Sequence, residues 1–102
     1  MGDLRDDYRA MMEVRKVARR ERYERLRAEV ERRVAAGECL ADWYNGDSVV
    51  RLRLPACEAT CRACRELWVD FFPASGAVTQ GHRRLGTGVL LALTFLRGRR
   101  HP

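Results

Sequence analysis

Several things are scarce in this chain of 102 residues, and each scarcity removes a class of protein. Long apolar runs are missing. The most apolar stretch, Gly86 to Leu96, is far shorter than the ~20 residues a membrane-spanning helix needs, so no membrane partner is expected. Histidine occurs twice, and neither copy stands beside a nucleophile or a carboxylate pair, so no catalytic constellation can be named and an enzyme is not expected. The N-terminus is charged from Asp3 to Arg22 and lacks the apolar segment of a secretory signal, which points to the cytoplasm. A chain this short builds one small core and has no room for a barrel or a dinucleotide fold. Lysine is nearly absent: of 20 basic residues, Lys16 is the single lysine and 19 are arginine.

What is present is charge, unevenly spread. The formal net charge is +6, made of net +3 over residues 1–37, net −2 over 38–76 and net +5 over 77–102, where no acidic residue occurs. A basic excess favours polyanionic partners. An arginine excess fits a GC-rich coding source equally well.

Residues 3–36 carry no glycine or proline and are rich in strong helix formers; Gly37 is a natural stop. The apolar stripe of this helix is broken. Leu4, Tyr8, Met11 and Met12 form one short face, and Tyr23, Leu26, Val30 and Val34 form another. Between them Arg15, Lys16, Arg19, Arg20 and Arg22 make a basic stretch suited to phosphate contacts. Residues 1–22 therefore read as a charged helical arm, 23–97 as a single small domain and 98–102 as a basic tail. Downstream, residues 48–54 alternate, with Val50, Leu52 and Leu54 opposite Arg51 and Arg53. Leu67, Val69 and Phe71 likewise oppose Trp68, Asp70 and Phe72, and residues 77–80 read as a short edge strand. Residues 86–97 read as an apolar helix with Thr87 as its N-cap. The expected fold is α+β: a long N-terminal charged helix, a three-stranded antiparallel sheet and a C-terminal apolar helix (α-β-β-β-α).

Two places can carry chemistry. Cys57, Cys61 and Cys64 form C-x3-C-x2-C, and Cys39 stands alone upstream. Four thiolates satisfy tetrahedral zinc, with His82 and His101 as substitute fourth ligands. Structural zinc, an iron–sulfur cluster and plain reduced thiols all stay open. The second place is His82-Arg-Arg-Leu-Gly-Thr-Gly88. Here Arg83 and Arg84 with the glycines can hold phosphate at a helix N-terminus, or simply form a turn and cap. Trp43, Tyr44, Trp68 and Phe72 can form a stacking platform for bases, but a second apolar face covered by the N-terminal helix is the preferred reading. The α-β-β-β-α order, with basic residues opening the last helix, resembles double-stranded RNA-binding domains in outline.

Val69-Asp-Phe-Phe-Pro-Ala-Ser-Gly76, with Asn45-Gly46 upstream and Arg84-Leu-Gly-Thr-Gly-Val89 downstream, resembles a group of short phage and prophage proteins over residues 45–97. The resemblance implies a phage or mobile-element origin, in a host cytoplasm or a virion. The cysteine loop is not typical of that group. Within the motif, Asp70 is expected to accept hydrogen bonds from the Ser75-Gly76 turn. Two functions follow as expectations. One is a small basic accessory protein that binds RNA or DNA through phosphates, with a structural zinc. The other is a protein-interaction module that acts on a host or defence factor, or self-associates, through the N-terminal helix.

Overall fold

The computed structural model describes residues 4–57 and 61–99. It has an α+β fold with a long N-terminal helix, a five-stranded antiparallel sheet and a C-terminal helix. Helix α1 spans Leu4–Ala35; strands β1 Leu40–Tyr44 and β2 Val49–Arg53 follow; α2 is the single turn Arg62–Arg65; strands β3 Val69–Phe72, β4 Ala77–Gln80 and β5 Arg83–Thr87 lead into α3, Val89–Arg99. The sheet is a meander in the order β1-β2-β3-β4-β5, so the expected three strands are flanked by one more on each side, and β4 is interior. The outline of a double-stranded RNA-binding domain does not hold for five strands.

Helix α1 ends where its glycine predicts. Gly37 adopts φ +76°, and the Gly37 and Glu38 N–H groups donate to the Val34 and Arg33 carbonyls, both at 3.0 Å, which closes the last turn. Asn45-Gly46 is a hairpin turn between β1 and β2, not a lead-in to one strand. Asn45 (φ 53°) and Asp47 (φ 64°) take the left-handed conformation that their short polar side chains tolerate. The Ser48 N–H and hydroxyl close the turn on the Asn45 carbonyl.

The alternation of β2 and β3 sorts the sheet into two faces. Val50 registers with Phe71, and Phe71 with Val78; Leu52 registers with Val69. These residues meet Val89, Ala92, Leu93 and Leu96 of α3, and Val30 of α1, in one buried core. Both long helices therefore lie on one face.

α1 is fixed to the sheet end that carries the β1–β2 and β3–β4 turns. The Tyr23 hydroxyl donates to the Asp47 carbonyl at 2.6 Å, Arg27 reaches the Asp47 carboxylate at 3.2 Å, and Arg22 donates to the Ala74 carbonyl at 3.3 Å. Arg27 also stacks on Trp43, 4.8 Å from the ring centroid. N-terminal to this clamp the helix overhangs. About 18 residues, Leu4 to Glu21, at ~1.5 Å each project roughly 27 Å past Arg22, and the molecule measures 67 × 27 × 21 Å.

The last strand-to-helix corner depends on Gly86. A β-carbon there would lie 2.6 Å from Leu91 Cδ1, and the backbone stands at φ +150°. Gly86→Ala is expected to cost about 1–3 kcal/mol through overpacking. Thermal unfolding followed by circular dichroism checks this, and Gly86→Ala/Leu91→Ala should lose less than the two single costs combined, because the clash disappears with the Leu91 side chain.

Candidate nucleic-acid interface and cysteine cluster

The basic residues of the overhang gather against the β3–β4 turn. Arg15, Arg19 and Arg22 line a shallow groove of about 330 Å³ with Ala74 and Ser75. Lys16, Arg19 and Arg20 line a second groove of similar size with Tyr23 and Ala74. The spacing explains the gathering. Residues 15, 19 and 22 continue, by three and four, the stripe that Leu26 and Val30 present to the core, but beyond the sheet edge. No carboxylate stands within ion-pair distance of Arg15, Arg19, Arg20 or Arg22 among the described residues, whereas Lys16 pairs with Glu13 at 3.6 Å. The same helix nearer the domain is neutralised: Arg27 pairs with Glu31 and Asp47, and Arg33 pairs with Glu29 and Glu38. Apart from Lys16, the basic residues at 15–22 thus have no carboxylate partner among the described residues.

Arg83 and Arg84 do not join this patch. They are exposed on edge strand β5, at the end of β4 and β5 away from the β3–β4 turn. The expected glycine-rich phosphate loop is a strand: Leu85 supplies the extra residue of a bulge opposite Val78/Thr79, and Thr87 closes β5 without capping α3. The Gly88 N–H, which an anion would need, donates to the Gly76 carbonyl at 2.8 Å.

The face of the sheet opposite the helices carries Tyr44, Arg51, Asp70, Trp68 and Phe72. Neither α1 nor α3 covers it, contrary to the reading that the N-terminal helix hides a second apolar face; of the four aromatics considered, Trp43 alone points to the helix side. Arg51 lies between the rings of Trp68 (4.7 Å) and Tyr44 (5.5 Å). Asp70 accepts its guanidinium at 3.1 and 3.5 Å. Asp70 is therefore a structural partner of Arg51, not an acceptor for the turn. The Ser75 and Gly76 N–H groups donate to the Phe72 carbonyl instead.

The three clustered cysteines converge. Cys57 follows β2, Cys61 stands at the N-terminal end of α2 and Cys64 is buried within it. Their Sγ atoms all lie within 4.8 Å of one another, an arrangement that can hold a metal ion such as zinc. The Cys64 and Cys57 sulfurs are 3.5 Å apart. The backbone N–H of Cys64 and the Cys57 thiol pull the Cys61 thiol below its usual value. Hydrogen bonding with the Cys61 and Cys64 thiols pushes Cys57 up to about 11.

Cys39 stands outside this group. It is 1% exposed in the hydrophobic core, and burial, with Glu38 nearby, raises its thiol. The sequence places Cys39 before a strand but does not show that it faces inward, one residue ahead of the exposed Leu40 that opens β1. His82 is exposed beside β5 and is not part of the group; His101 lies outside the described residues.

No family model, curated protein or solved structure matches the chain. No helix among the described residues is long and apolar enough to cross a membrane.

Proposed function

We propose that this chain is a small basic accessory protein of phage type that binds nucleic acid through phosphate contacts made by the α1 overhang. The observation that supports this reading is the group Arg15, Lys16, Arg19, Arg20 and Arg22, exposed on a projecting helix and, Lys16 apart, without carboxylate partners among the described residues. Arginine presents a fork of donors that matches phosphate oxygens. An α-helix of about 10–12 Å diameter fits the major groove of B-form DNA, roughly 12 Å wide, whereas the major groove of A-form RNA is too narrow. Duplex DNA is accordingly the preferred partner. Fluorescence anisotropy with labelled DNA and RNA duplexes at low salt tests this. Binding to DNA, with weaker binding to the RNA duplex, is expected. Arg83→Glu/Arg84→Glu should lose less affinity than reversal of the arm, because those two residues sit at the other end of the sheet. No binding to either duplex would remove the proposal.

A separate observation favours a second reading. Beyond the basic stretch the overhang exposes apolar side chains: Tyr8 is 59% exposed, Met11 44% and Val14 68%. Such a face serves a protein partner or a second copy of the chain. Under this reading the chain has a mass above that of a monomer in solution, and Tyr8→Glu/Met11→Glu returns it to a monomer.

The cysteine cluster is the place for a structural zinc in either case. It sits in the connection between the neighbouring strands β2 and β3, where a metal would tie Cys57 to the turn α2.

A further inference from the structure

We infer that β5 and the groove between it and α3 form a docking site for an extended acidic peptide of another protein, which adds to the sheet as a further strand. The residues differ from those of the α1 overhang, so the inference does not rest on the nucleic-acid reading.

The backbone is the first support. β5 is the terminal strand of the sheet: one side pairs with β4, and the N–H and C=O groups of its other side have no strand partner among the described residues. Such an edge is a template for an extended chain. The groove is the second support. A cleft of about 770 Å³ runs beside β5. Leu85, the extra residue of the β5 bulge, forms its strand wall. Leu91 and Phe95, one helical turn apart, form its helix wall, and Leu90 stands at its rim, 59% exposed. β5 runs into the Gly88 corner and α3 runs out of it. Five residues of strand at ~3.4 Å and 11 of helix at ~1.5 Å give nearly equal lengths, about 17 Å. Arg83 and Arg99, at the far ends of the two elements, both line the cleft, so it follows β5 over its whole length.

Charge selects the occupant. Residues 77–102 carry net +5 and no acidic residue. Among the described residues no carboxylate lies within ion-pair distance of Arg83, Arg84 or Arg99, whereas Arg97 pairs with Glu38 at 3.6 Å. Arg83 registers with Gln80, on the face of the buried Val78, and so stands on the groove side; Arg84 registers with Thr79 on the opposite face. An extended peptide alternates in the same way. Apolar side chains at every second position fill the groove, acidic ones between them meet Arg84, and an acidic residue at the end meets Arg83 and Arg99. The same charges oppose a second copy of this chain, since pairing β5 with β5 brings two arginine-bearing edges together. A nucleic acid fits less well, because it offers the strand edge no ladder of alternating donors and acceptors.

The test uses the full-length protein and a fluorescein-labelled peptide of about eight residues that alternates glutamate and valine. Anisotropy should show saturable binding. The same peptide N-methylated at every amide keeps its charges and side chains but loses the strand donors, and should bind at least about tenfold more weakly. Leu90→Glu and Arg83→Glu, both at exposed positions, should each lose about tenfold or more. Arg15→Glu/Arg19→Glu/Arg22→Glu should bind the peptide as the wild type does. On peptide addition, amide hydrogen exchange in the wild-type protein should slow in β5 and stay unchanged in β1, the other edge of the sheet. Equal binding of the N-methylated peptide, or loss of binding in the arm variant, means attraction by charge alone and overturns the proposal. No binding of the peptide, or no slowing of exchange in β5, overturns it too. So does a dimer with β5 already protected, which makes a second copy the occupant. The exchange result is read on the wild-type protein and so does not depend on any variant folding.

Discussion

Reversing Arg15, Arg19 and Arg22 to glutamate should lower affinity for a DNA duplex by a factor on the order of 10²–10³ at 0.1 M salt. The figure follows from counterion release. Each phosphate neutralised contributes about −0.9 to the slope of log affinity against log salt, so three lost contacts remove nearly three decades at that concentration. The introduced carboxylates repel the backbone and push the loss higher. The variant should keep its fold, because Arg15 and Arg19 lie on the overhang and Arg22, at its root, is tied to the sheet end by one exposed hydrogen bond to Ala74, while Tyr23 and Arg27 keep their contacts with Asp47. An unchanged circular-dichroism melt beside the lost affinity separates a binding effect from unfolding. Equal affinity in the variant would place binding elsewhere.

The second large effect concerns the two faces of the sheet. Phe71→Ala should cost about 3–5 kcal/mol, because a fully buried phenyl in the central strand leaves a cavity that its neighbours cannot fill. For a domain whose total stability is about 5–15 kcal/mol, this leaves a protein at the edge of folding. The melting temperature should fall by roughly 12 °C or more, at about 4–8 °C per kcal/mol. Phe72, the next residue, makes the contrast. It lies on the opposite face, half-buried and not covered by either long helix, so Phe72→Ala should cost well under half as much. Denaturant unfolding of both variants reads the difference directly. Equal costs would mean that something covers the Tyr44–Trp68–Phe72 face.

These two predictions also show how much the residues disclosed unaided. Strands β2 and β3 were legible because Val50, Leu52, Val69 and Phe71 recur at every second position and both strands are interior, so that face is driven inward, even though Val49 and Phe72 add apolar side chains on the other face. The two long helices were legible from composition and from the break at Gly37, although α3 begins at Val89 rather than at residue 86 and the single turn α2 was not expected. Strand β1 was missed because it is an edge strand, where only Ala41 and Trp43 need to face inward, and two residues make no visible period. Strand β5 was missed for a related reason. It offers one apolar residue, Leu85, carries a glycine demanded by the approach of Leu91, and its Arg-x-Gly-x-Gly pattern matches a phosphate loop as well as it matches a bulged edge. Asn45-Gly46 was seen as a turn, but with β1 unseen it had only one strand to join. At the cysteine cluster, spacing correctly grouped Cys57, Cys61 and Cys64, which a single loop brings together. The position of Cys39 depended on the register of β1 against β2, which only the tertiary pairing sets. The basic arm was legible because the charges interrupt a stripe whose period is otherwise plain. That these side chains converge on the β3–β4 turn was not, since it requires the Tyr23, Arg27 and Arg22 contacts that fix α1 across the sheet end.

The central claim is that the α1 overhang grips phosphates, and the salt dependence of binding tests it most directly. Log Kobs for wild-type protein on a DNA duplex, measured against log salt from low to moderate concentration, should be linear with a slope of about −4, for the four to five phosphates that Arg15, Lys16, Arg19, Arg20 and Arg22 can reach. Absence of binding at low salt, or a slope near zero, would contradict it.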